Sequence, residues 1–166
     1  MKRSRINRAI GETIAFLKDR KFLLPPFAYW TPAQWRRMGH EADEIRDCML
    51  GWDVTDLGQG DFDRLGLALF TIRNGKMKSR KYPKPYCEKI IVMDPGQLCP
   101  THFHWQKAED IINRGGGNCV LRLWNSTPRG GLAKTPVRVT MDGVVRTFKP
   151  GQRVVMKPGE SITLTQ

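Results

Sequence analysis

A chain of 166 residues, 40% hydrophobic and 27% charged, can bury one good core and is short for two full domains. It has no run of 18 apolar residues, so no transmembrane helix is expected. Its basic start, Met1-Lys2-Arg3-Ser4-Arg5, leads into a stretch broken by Arg8, Glu12, Lys18 and Asp19 rather than an apolar leader core, which makes a cytoplasmic location the expectation.

The apolar residues Ile6, Ala9, Ile10, Ile14, Phe16 and Leu17 recur near helical spacing and predict an amphipathic helix over 5–20. Pro25-Pro26 ends anything that precedes it. Thr31-Pro32 predicts a second helix, with Thr31 as N-cap, Pro32 in the first helical position, Trp35 and Met38 inward and Gly39 at the close. A short helix is expected over 41–49. Residues 1–50 thus read as a helical arm packed on the remainder of the chain.

From Gly51 the pattern turns to strands. Leu65 to Ile72 is a continuous apolar run that enters Asn74-Gly75, read as a strand into a turn. Further strands are expected over 86–93 and 119–124. A hairpin is expected over 137–148 around Asp142-Gly143, and two short strands at 154–156 and 162–164. Short strands at close spacing with Gly and Pro turns predict a mainly β sandwich or barrel over 51–166.

The four cysteines, Cys48, Cys87, Cys99 and Cys119, are scattered and read as reduced thiols. Cys99 lies close in sequence to His102 and His104, and is read as structural. The net charge of +12 raises a nucleic-acid hypothesis. Its densest stretch holds Lys76, Lys78, Arg80, Lys81, Lys84 and Lys89, broken by Tyr82, Pro83, Pro85 and Tyr86. A solvated, Pro-broken loop is preferred to a nucleic-acid site, a basic surface near a small polar or phosphorylated substrate fits better still, and no nucleic-acid partner is expected.

The chemistry concentrates in residues 96–116. His102 and His104 stand two apart on what reads as a strand, so both imidazoles share one face. Glu109 follows after enough chain to turn and re-enter on the next strand. Two imidazoles and a carboxylate suit Zn²⁺, or an octahedral Mn²⁺, Fe²⁺, Co²⁺ or Ni²⁺ with water in the open positions. His40 stands apart, beside Glu41 in the helical arm, and is read as structural or surface.

Gly96, five residues, His102-Phe103-His104, four residues, Glu109, six residues and Gly116 match the first cupin motif, G(X)5HXH(X)3–4E(X)6G, at every fixed position. Within cupins the chain resembles the D-lyxose isomerases. The resemblance rests on the HxHxxKxEDI segment from His102 to Ile111, on Gly115 to Gly117, on the stretch from Trp30 to Trp35, and on the lead-in from Gly51 to Gly75. It implies a jelly-roll cupin barrel with the N-terminal helical arm, and metal-dependent interconversion of D-lyxose and D-xylulose, with D-mannose and D-fructose as a second pair. It also implies a divalent cation, Mn²⁺ before Zn²⁺, Co²⁺ or Fe²⁺, on His102, His104 and Glu109. Lys107 matches the motif lysine, and its implied role is ring opening or proton transfer. A homodimer is implied as well.

One departure stands out. The second cupin motif, G(X)5PXG(X)2H, begins at Gly159, but Thr165 occupies the usual Pro position and the sequence ends at Gln166. The expectation is a chain truncated at its C-terminus, a barrel lacking its closing strands, and three ligands of an intended four. Asp110, beside Glu109, should face the other way and is read as structural. Two other function classes stay open on the residues alone: another metal cupin enzyme such as a dioxygenase, and a non-enzymatic sugar- or nucleic-acid-binding module.

Overall fold

The computed structural model describes residues 1–105 and 107–165. These residues form two compact units, Met1–Cys99 and Pro100–Gln166.

The first unit starts with helix α1, Arg3–Asp19, which buries Ala9, Thr13 and Leu17. A single 3-10 turn at Pro26–Tyr29 precedes α2, Pro32–Arg37. Thr31 caps α2 as its sequence predicts. Its Oγ1 accepts from the Gln34 N–H at 3.2 Å, and the Gln34 side-chain oxygen accepts from the Thr31 N–H at 2.8 Å, a reciprocal capping box. Trp35 and Met38 are half-buried rather than fully inward. The helix expected over 41–49 is shorter, a 3-10 turn at His40–Ala42 and then α3, Asp43–Asp47.

Three antiparallel strands come next, in sequence order: β1 Gly51–Thr55, β2 Leu67–Arg73 and β3 Glu88–Val92. Strand β1 is missed by the sequence reading, because Asp53 and the adjacent Thr and Gly residues dilute its apolar signal. One face of the sheet carries Trp52, Phe70, Ile90 and Val92, packed with Leu17, Leu24, Ala28 and Phe27. Phe70 is fully buried, and the Trp52 indole N–H donates to the Ala28 carbonyl at 2.9 Å.

Asn74-Gly75 does not make a two-residue hairpin. The Asn74 side chain instead donates to the Cys48 carbonyl at 2.9 Å and accepts from the Gly75 N–H. A Cβ at Gly75 would overlap the Lys84 carbonyl, so the glycine serves a close backbone approach within a longer loop. That loop carries the basic run, and α3 neutralises part of it. Lys81 sits 3.6 Å from Asp43 and 3.5 Å from Asp47, and Lys84 is paired with Glu44.

The second unit contains β4 Glu109–Ile112, β5 Cys119–Arg122, β6 Val137–Met141, β7 Val144–Phe148, β8 Arg153–Met156 and β9 Ser161–Leu164. They form a four-stranded sheet in the order β4-β9-β6-β7 and a two-stranded sheet of β5 and β8, all antiparallel. The hairpin at Asp142-Gly143 forms as predicted, with φ of 48° and 80° at the two turn residues. Along β6, Val137, Val139 and Met141 are buried while Arg138 is exposed, the period of two that defines a one-sided sheet. These three join Val154, Met156 and Ile162 in one core, with Ile111, Cys119, Leu121 and Leu164 packed against it.

The fold is mainly β, as the sequence predicts. No barrel is closed among the described residues. No helix among them is long and apolar enough to cross a membrane.

Candidate metal centre

Glu109 opens β4, opposite Leu164 on β9. Its neighbour Asp110 lies on the other face of the strand and accepts from the Thr163 hydroxyl at 2.6 Å, the structural place its spacing predicts. The far end of β4 is pinned by buried Asn113. Its amide donates to the Gly117 and Met156 carbonyls, both at 2.9 Å, and its side-chain oxygen accepts from the Gly115 N–H. Glu109 is therefore carried on a strand fixed to the core at both ends.

His102 and His104 stand outside the regular strands, which corrects the strand expected there. Pro100 has no N–H for a ladder and disfavours regular pairing at that point. Both i, i+2 ring pairs nevertheless meet, as in an extended segment. The His102 and His104 rings are 5.1 Å apart, and the Phe103 and Trp105 rings 4.6 Å apart. The shared face predicted for the two imidazoles is thus present without the strand.

The His102 Nδ1 lies 2.9 Å from the Pro100 carbonyl. A carbonyl only accepts, so the His102 Nδ1 is the donor in this hydrogen bond. The His104 Nε2 lies 3.4 Å from Glu109 Oε2, and the Lys107 Nζ lies 3.6 Å from Glu109 Oε1. One donor atom each from His102, His104 and Glu109 falls within 4.8 Å of the others. Among the described residues this is the group of three His, Cys, Asp or Glu side chains so arranged. Two imidazole nitrogens and one carboxylate oxygen fit a divalent first-row cation by number, type and spread. His104, Glu109 and Lys107 are each part-exposed, which leaves the cluster open to a small solute.

Of the other residues weighed from sequence, His40 is fully exposed and lies 3.1 Å from Asp43 in the helical segment. Cys99 is exposed and falls in the first unit. The sequence reading assigns no role to Phe103, Trp105 or Gly130, which lie together beside the histidines. The alternation in His102-Phe103-His104-Trp105 is the signal that could have drawn attention to the two rings.

The sequence pattern of one family, D-lyxose isomerase, matches residues 1–166. The chain belongs to the D-lyxose isomerase family. It is 48% identical to a D-lyxose/D-mannose isomerase of Serratia proteamaculans, across 99% of this chain and 73% of that relative. It is 46% identical to a D-lyxose/D-mannose isomerase of Escherichia coli O157:H7, with the same coverage. Membership in the D-lyxose isomerase family makes the chain an enzyme of the aldose–ketose isomerase class.

Proposed function

We propose that the chain interconverts D-lyxose and D-xylulose, and D-mannose and D-fructose as a second pair, at a divalent-cation centre held by His102, His104 and Glu109. The observation that carries this reading is the convergence of those three donors within 4.8 Å, in a chain of this family. Mn²⁺ is the proposed ion. When bound, it would supply positive charge to the sugar oxygens that gain negative charge as a carbon-bound proton leaves.

The chain's own residues then divide the remaining work. His102 is held by its Nδ1–H bond to the Pro100 carbonyl, which fixes the direction of its ring. Glu109 faces His104 with one oxygen and Lys107 with the other, which orients both neighbours. Lys107 is the proton donor for ring opening. Its ammonium gives a proton to the ring oxygen as the bond from C1 to that oxygen breaks, while the C1 hydroxyl passes its proton to water and becomes the aldehyde; the lysine amine then regains a proton from solvent. Isomerisation of the open chain moves one proton from C2 to C1 and one from O2 to O1, through an enediolate.

Ketose formation from D-lyxose with Mn²⁺ present tests the reading. D-Xylulose is the expected product. Lys107→Met should lower the rate by about 10²–10⁴-fold, the span of a positioned acid, while leaving Mn²⁺ affinity within a few-fold. Absence of ketose from D-lyxose and from D-mannose rejects the reading. An unchanged rate in Lys107→Met removes that residue from the chemistry.

A further inference from the structure

The histidine segment is irregular backbone, yet its two imidazoles converge on a carboxylate that rides on a core strand. Something must fix the segment from its other side. Phe103 and Trp105 alternate with the histidines, and their rings meet edge to face at 4.6 Å and 81°. They remain 42% and 67% exposed, so simple burial does not account for their placement.

Both rings sit against Gly130. A Cβ built there would stand 3.2 Å from Phe103 Cζ and 3.9 Å from Trp105 Cζ2, and Gly130 has a φ of +75°. The rings therefore rest on bare backbone, a surface that only glycine supplies at this conformation. That backbone is itself stapled. The Thr127 N–H donates to the Gly131 carbonyl at 2.8 Å, the Gly130 N–H to the Thr127 carbonyl at 2.9 Å, and the Gly131 N–H to Thr127 Oγ1 at 2.9 Å. The Asn125 amide ties the base of the turn to Thr135 and to the Pro136 carbonyl, next to buried Val137 of β6. Glu109 reaches the same core through β4.

We infer that Phe103, Trp105 and the Gly130 turn form a positioning clamp, which holds His102 and His104 at the distance from Glu109 that a divalent cation requires. The inference rests on the metal reading of that triad. Their role is to act through the histidine backbone, where an error of a fraction of an ångström is felt in affinity.

Co²⁺ titration of the full chain, followed by visible absorption, tests the clamp without needing turnover. Phe103→Leu should weaken Co²⁺ binding by about 10–100-fold, the range for groups that orient metal ligands, and Phe103→Tyr, which keeps the ring, should restore it. Gly130→Ala should weaken binding as well, but less in the Phe103→Leu background, where the smaller side chain yields the space. Equal Co²⁺ affinity in wild type and Phe103→Leu overturns the clamp alone. So does a Gly130→Ala effect of the same size in both backgrounds, since that marks local backbone strain. If the wild type takes up no Co²⁺, or His104→Ala binds it as tightly as wild type, the metal reading fails and the clamp falls with it.

Discussion

At the scale of single residues, the site is a matter of how a few polar atoms face one another. The Pro100 carbonyl accepts from the His102 Nδ1–H, and Glu109 divides its two oxygens between His104 and Lys107. The grouping of His102, His104 and Glu109 is legible in the sequence, because HxH followed by a carboxylate five residues on needs little tertiary information, whereas the Pro100 contact is not. Gly130 is not legible in the same way. Its role depends on a loop folding back onto two rings from far along the chain, which no local spacing encodes. A residue-scale prediction concerns Asp47. The Tyr82 hydroxyl, buried and donating at 2.7 Å, holds the Asp47 carboxyl below its ordinary 3.8, with Lys81 helping. A carboxyl whose folded pKa lies below its unfolded one adds stability above the unfolded value, and loses it as pH falls through the folded value. Tyr82→Phe should therefore unfold at lower urea than wild type at pH 7, and the gap should narrow as the pH falls below about 4. Urea midpoints across that range check it; a gap that stays constant means Asp47 is not the partner that matters.

At the scale of elements, prediction succeeds where periodicity and turn chemistry agree. The Asp142-Gly143 hairpin joins alternating residues whose inward members are the core itself, and both turn residues adopt positive φ. The Thr31 capping box likewise needs only four residues to be read. Asn74-Gly75 carries a similar local signal and goes elsewhere, because Cys48 and Lys84 compete for its backbone and side chain. Tertiary contacts override a turn propensity when they satisfy the same polar groups. Strand β4 is short, and much of its order comes from Asn113 at its far end. Asn113→Leu leaves the Met156 and Gly117 carbonyls without that donor and should cost about 1–3 kcal/mol of stability. Chemical denaturation measures it. A variant as stable as wild type would mean that β4 is held by its pairing with β9 alone.

At the scale of the whole molecule, the sequence carries a net charge of +12. Within the first unit, Asp43, Glu44 and Asp47 of α3 take up Lys81 and Lys84, the centre of the densest basic run. The run thus tethers its own loop, which favours the structural reading of it over a polyanion site. The second unit places its one donor cluster, among the described residues, at the start of β4, beside a core built from β6, β8 and β9. The proposed chemistry depends on those donors holding a cation. Binding of Mn²⁺, read as loss of the free ion's electron paramagnetic resonance signal, tests that claim most directly. The expected result is one Mn²⁺ taken up per chain, and none at that site in the His102→Ala/His104→Ala double variant. Failure of the wild type to bind Mn²⁺, or equal uptake by the double variant, would contradict it.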